Sequence, residues 1–269
     1  MNAYEKKQIK AIELWKRQEP GIAGRAFDTV TAPITWLVSK VISTTLVQGA
    51  IEGADFIAQS ATDAKDILRD GGVSSIDELR DKDLQLSDRL ADQVHNWSTA
   101  ASGAFGGVLG STGVGGVALD IGALITLSFR TIHKIGLCYG YERLNKQLVL
   151  GVLSVSSAAN RDEKKTATEL MRDVETLTIE EVLEDVAKDA VLTRVARGGA
   201  FFTARGVGKR LGQNLAKRKA LQVVPLVGGV LSGATNISFI TDLGWAARRI
   251  FQERWLIDNG RFHLVAVNE

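Results

Sequence analysis

The chain has 269 residues, 45% of them hydrophobic and 24% charged, with a formal net charge of +2. That hydrophobic share excludes a disordered chain and supports a sizeable buried core. Three prolines, 6% aromatics and many Ala, Leu and Val argue against a β-sandwich, and so small a net charge gives no reason to expect nucleic acid as a partner.

The expected fold is all-α, a single helical domain. Its expected segments are N-terminal helices over 1–95, a first glycine-rich hairpin over 96–140, middle helices over 141–219, a second glycine-rich hairpin over 220–257 and a tail over 258–269. The first 19 residues carry charges throughout, with Ile9, Ile12, Leu14 and Trp15 at helical spacing, and so predict an amphipathic helix rather than a secretory signal. Thr31-Ala32-Pro33 has the form of a helix start, and an apolar helix is expected from Ile34 towards Ile51. A more acidic helix follows to Leu68, and Asp70-Gly71-Gly72 is a stop. A short helix is expected over Ser75–Asp83, with Ser87-Asp88 as a candidate cap for the next. Thr178 and Glu181 make a capping box, and Gly198-Gly199 separates that helix from a basic one ending at Lys219.

Charge is unevenly distributed. Glu52 to Asp92 holds eleven acidic against five basic residues, whereas Ala190 to Thr241 has no acidic residue. Within the latter stretch lie Arg194, Arg197, Arg205, Lys209, Arg210, Lys217, Arg218 and Lys219. Such asymmetry predicts an acidic side and a basic side. The lone Cys138 excludes an internal disulfide and agrees with a reducing, cytoplasmic setting.

An internal repeat organises the two glycine-rich regions. Gly106-Gly107-Val108-Leu109 recurs as Gly228-Gly229-Val230-Leu231, Asp120-Ile121-Gly122 as Asp242-Leu243-Gly244, and Phe129 as Phe251, at a constant offset of 122 residues. The expectation is two pseudo-repeated helical hairpins that pack on each other to bury apolar faces neither could bury alone. Gly103/Gly107, Gly106/Gly110 and Gly229/Gly233 are small-xxx-small pairs suited to close helix approach. Residues 96–119 and 220–241 are uncharged and reach spanning length. The six strongly apolar residues of the first contribute roughly −3 kcal/mol towards insertion, which one central Asp cancels. A core that touches a bilayer fits better than one that crosses it.

No catalytic constellation stands out. Gly151 to Val155 reads GVLSV and fails as a nucleophile elbow, and Gly208-Lys209-Arg210 lacks the hydroxyl of a phosphate loop. Gly113, Gly115 and Ala118 fit a dinucleotide fingerprint only if a strand precedes them, and the preceding stretch looks helical. His95, His133 and His263 lack metal-ligand spacing, so no metal and no cofactor are expected.

Asp120 and Asp242 sit at the same repeat position inside apolar stretches, where a carboxylate must be paired or protonated. Arg130, Arg248 and Arg249 are the candidate partners. Two readings stay open: a structural ion pair locking the halves, or facing carboxylates with raised pKa suited to acid–base chemistry.

The chain resembles the EcsC protein family. The likeness lies in Ala104–Gly116 (AFGGVLGSTGVGG), in Asp120, Arg130 and Ile132, and in Tyr139-Gly140-Tyr141. It continues in Pro225-Leu226-Val227-Gly228-Gly229, Asn236 and Arg254-Trp255-Leu256, with Trp15 also in character. The resemblance implies a bacterial protein linked to an ABC-transporter operon and supplies no catalytic residues. The expected function is non-enzymatic, peripheral on the inner face of the plasma membrane. Its partner would be an anionic lipid surface or a transporter subunit, met by the basic residues Arg194 to Lys219. The alternative is a hydrolase-like enzyme using Asp120 and Asp242.

Overall fold

The computed structural model describes residues 1–19, 42–61, 63–110, 113–176, 201–219 and 228–262, and every regular element among them is helical. The elements are α1 (Ala3–Arg17), α2 (Thr44–Ala61), α3 (Lys65–Gly71), a 3-10 turn (Asp77–Asp81), α4 (Leu84–Gly110) and α5 (Gly113–Cys138). Then come α6 (Lys146–Ser156), α7 (Arg161–Thr176), α8 (Ala204–Lys219) and α9 (Gly228–Asp258).

Local chemistry sets several ends. Asn2 and Glu5 close a reciprocal capping box on α1. Gly72 ends α3 in the left-handed region at φ 62°. Gly140, at φ 87°, ends α5, where a β-carbon would sit 2.9 Å from the backbone nitrogen of Arg80. Ser87-Asp88 is not a cap, because α4 begins at Leu84 and carries both residues inward. The expected features at Thr31–Pro33, Thr178–Glu181 and Gly198-Gly199 lie outside the described residues.

One hydrophobic cluster draws side chains from every described α-helix, among them Ile12, Ile51, Ile67, Leu90, Phe129, Leu153, Met171, Leu211 and Phe251. Its centre is the antiparallel seam of α4 and α9, with α5 across both and α2 on the far side of α5. Along the seam Gly103 meets Ile237, Asp92 meets Arg248 and Asp88 meets Gln252. A β-carbon on Gly233 would lie 3.1 Å from the Gly103 carbonyl oxygen, so the two backbones touch where both side chains are missing.

Residues 220–227 of the expected second hairpin lie outside the described residues, and what is described of it is straight. Gly228 to Asp258 is one continuous helix of 31 residues, whereas the first copy is divided between α4, ending at Gly110, and α5, beginning at Gly113. The first copy concentrates Gly110, Gly113, Gly115 and Gly116 at its turn, where the second has Ser232, Thr235, Ile237 and Ser238. Each glycine weakens a helix by about 1 kcal/mol, so the repeat that loses them runs straight. Gly113 to Ala118, the dinucleotide-like run, lies in the opening turns of α5 with helix rather than strand before it.

Candidate functional site

Three features stand out: a sealed polar triad, a buried carboxylate hub, and a cleft beside an uncharged end. The triad joins three helices. Asp120 of α5 accepts a short hydrogen bond from Lys219 Nζ, at the end of α8, and one of 2.8 Å from Asn236 Nδ2 of α9. Lys219 Nζ also donates to Asn236 Oδ1 at 2.8 Å, which closes a cycle of three side chains. All three residues are 1% exposed. A buried carboxylate needs a cation and further hydrogen bonds, and this arrangement supplies both. Burial pushes the Lys219 amine below the ordinary lysine value, with Asp120 pulling the other way.

The arginines expected beside Asp120 are committed elsewhere. Arg130 stacks over the Trp97 ring with 5.6 Å to the centroid. Arg248 pairs with Asp92, and Arg249 donates to Gln8 at 2.9 Å and to Gln252 at 2.7 Å. Spacing along one helix picks out neighbours on a face, whereas the actual partner arrives from a helix 99 residues away in sequence. Asp242, the repeat equivalent, binds Arg218 at 2.7 Å and keeps 31% side-chain exposure. Consecutive residues of α8 thus hold the two repeated aspartates, each with its own cation.

That placement also corrects the expected basic surface. Arg218 and Lys219 are buried, since α8 turns its last residues towards α9 and α5. Arg210 is half-buried, donating to the Phe201 carbonyl at 2.7 Å and stacking 3.7 Å from that ring. Arg205, Lys209 and Lys217 do face solvent along one side of α8, and Arg194 and Arg197 lie outside the described residues.

Asp88, 3% exposed, is a hub that the sequence reading missed. It accepts from Tyr4 and Tyr139 hydroxyls, each at 2.6 Å, and from Gln252 Nε2 at 2.7 Å. Burial and the bond to Asp88 hold both phenols well above the ordinary tyrosine value. The signal was present: Leu84, Ser87, Asp88 and Ala91 share one helical face, and a carboxylate on an inward face must have a partner.

A cleft of about 420 Å³ opens where α1, α6, α7 and α9 meet. Leu14, Trp15 and Trp245 form apolar walls, with Lys164, Arg249 and Asp242 among them. Lys164 Nζ donates to the Trp15 carbonyl at 2.5 Å and lies 4.0 Å from the Trp15 ring centroid. Burial pushes its amine down to about 8, with Asp242 pulling the other way.

The glycine-rich ends of α4, α5 and α9 converge on one end of the molecule, because α4 and α5 are joined by residues 111–112 and Gly233 of α9 packs on Gly103. Their outward faces carry no charge there. On α4 this face runs from Trp97 through Ala104 and Phe105 to Gly107. On α5 it runs from Leu119 to Thr126, and on α9 from Ala234 to Thr241. Leu119 is 67% exposed and Phe105 52%. Charge resumes at Arg130 and Asp242, next to the exposed rings of Trp97 and Trp245, the latter with Arg248 stacked at 4.5 Å. The stretch Gly116–Cys138 of α5 is long and apolar enough to cross a membrane, but 72% of that window is buried inside the protein. Among the described residues no group of His, Cys, Asp and Glu is placed to hold a metal.

An all-helical core with two repeated aspartates held from a single basic helix defines the class. The chain belongs to the EcsC protein family, whose sequence pattern matches residues 6–256. It is similar to the "Uncharacterized protein YdbA" of Bacillus subtilis (strain 168), with 26% identity over 156 residues, covering 55% of this chain and 51% of the relative. The chain thus matches about half the length of that relative. No solved structure matches.

Proposed function

We propose that this protein is a non-enzymatic, peripheral membrane component that seats its uncharged end among lipid headgroups and upper acyl chains. The observation that carries this reading is the charge-free outer surface shared by three converging helices and bounded by Trp97 and Trp245 with stacked arginines. Tryptophan favours the boundary between apolar and wet surroundings, and the part-exposed Arg130 beside Trp97 adds a cation at that level. Burial of most of α5 inside the fold favours seating over crossing. The exposed Arg205, Lys209 and Lys217 add attraction to anionic lipid from the side of α8.

Paired-carboxylate hydrolysis has less behind it. Each aspartate is matched by its own cation, and Asp120 is sealed from the water such chemistry would activate.

Flotation with protein-free vesicles, neutral and anionic, tests the proposal and separates lipid from a transporter subunit as the partner. The wild type should float with both, more with anionic lipid at low salt. Phe105→Asp combined with Leu119→Asp should lower the bound fraction about tenfold, since each charge costs a few kcal/mol in the apolar layer. Absence of flotation, or flotation unchanged in the double variant, overturns the reading.

A further inference from the structure

We infer that the cleft between α1, α6, α7 and α9 is a binding site for a small organic anion with an apolar, ring-sized body. The inference stands apart from the membrane reading and would survive its failure.

The cleft's size, about 420 Å³, lies within the range of small-molecule pockets. Part of its wall is apolar and open to solvent: Leu14 is 63% exposed and Trp245 39%, both lining the same space. A flat or branched apolar group laid against Leu14, Trp15 and Trp245 would cover them. Beside these walls stand two cations that make no ion pair among the described residues. Lys164 is 5% exposed, and among the described residues its amine meets the carbonyls of Trp15 and Gln18 and the Trp15 ring. Arg249 donates to Gln8 and Gln252, neutral side chains, and its buried Nε has no hydrogen-bond partner among the described residues.

Removing a cation from water without an anion is costly, and a buried donor left unmade adds to that cost. Asp242 acts on Lys164 only from a distance, and among the described residues no acid of the cleft makes an ion pair with either cation. The Asp242 carboxylate is bound to Arg218, and Glu19 is exposed at the end of α1. A carboxylate, sulfonate or phosphate monoester entering the cleft would supply what Lys164 and Arg249 lack. The lowered Lys164 amine agrees with this, since an arriving anion would draw its proton back. The geometry therefore asks for both parts of one ligand, a body for the walls and a negative charge for the two cations.

Two fluorescent probes separate these parts without vesicles or an unknown ligand. 8-Anilinonaphthalene-1-sulfonate carries an aromatic body and a sulfonate; N-phenyl-1-naphthylamine has the same body without the charge. Titrated into purified protein at pH 7, the sulfonate should bind one to one and more tightly than the neutral probe. Lys164→Met and Arg249→Gln should each weaken the sulfonate about thirtyfold or more while leaving the neutral probe unchanged, the size expected when a buried charge pair is broken. Arg249→Lys, which keeps the charge, should retain most of the affinity, and matching melting curves show that the fold is intact. Trp245→Ala should weaken both probes. Equal affinity for the two probes, or sulfonate binding indifferent to both charge-removing variants, overturns the inference.

Discussion

Two lysines are taken out of water in this molecule, in two regions that treat them differently. At the junction of α5, α8 and α9, Lys219 meets a carboxylate and an amide in a closed cycle. At the junction of α1, α7 and α9, Lys164 meets two carbonyls and the face of a tryptophan, with no carboxylate. Burial lowers both amines, but only Lys219 has an anion within bonding distance to oppose it. A sealed, fully partnered charge is a lock. A charge at a cleft, short of an anion, is a binding feature in waiting, and it holds the end of α1 in the meantime by capping its last carbonyls.

The largest effect expected from breaking this contrast is at the lock. Lys219→Met takes the Lys219 cation from the buried Asp120 carboxylate, and loss of one partner of a buried pair costs about 3–5 kcal/mol. The double variant Asp120→Asn with Lys219→Met removes the stranded charge and should recover a good part of that loss. Urea unfolding of the four proteins gives the coupling directly, and additive losses would show that the triad is not one unit.

The next effect is on pH dependence. The folded-state amine of Lys164 is lowered to about 8 from the ordinary 10.5. Below pH 8 the group is charged in both states, and the folded protein carries the full cost of burying it. As pH rises past 8 the folded protein releases the proton while the unfolded chain keeps it. Stability therefore gains with pH over that window. Unfolding measured from pH 7 to 9, below the ordinary tyrosine range, should show a rising contribution in the wild type that Lys164→Met abolishes. A wild type and variant that stay parallel across that range would show that Lys164 is not a depressed amine.

Composition and periodicity were enough to make the all-helical fold legible. Glycine spacing likewise marked the close approach of α4 and α9, since Gly103 and Gly233 do lie on that seam. The repeat was legible as sequence but not as shape. A turn depends on how many glycines gather at one point, and the second copy has exchanged them for Ser232, Thr235, Ile237 and Ser238. The need of Asp120 for a cation was legible as well, because a carboxylate in an apolar run has few alternatives. Its identity was not, because Lys219 stands in a basic run that looks solvated and reaches Asp120 only through tertiary packing of α8. Asp88 and Lys164 escaped notice for a related reason. Each lies among other polar residues, and only the packed structure shows that these two point inward.

The smallest effect concerns the repeat itself. Asp242 holds the position equivalent to Asp120, but its side chain keeps 31% exposure and its partner Arg218 has further bonds to Asn214 and Ser238. The Asp242 carboxylate stays partly solvated and Arg218 keeps its neutral hydrogen-bond partners, so losing this pair costs less than losing a sealed one. Asp242→Asn should therefore shift the urea midpoint less than Asp120→Asn, which takes the carboxylate from a Lys219 ammonium sealed in the core. Equal losses from the two substitutions would mean that the halves are still energetically matched. The expected inequality means that duplication supplied two identical carboxylates, and that α8, by burying one cation more deeply than its neighbour, made one of them the lock and left the other at the cleft.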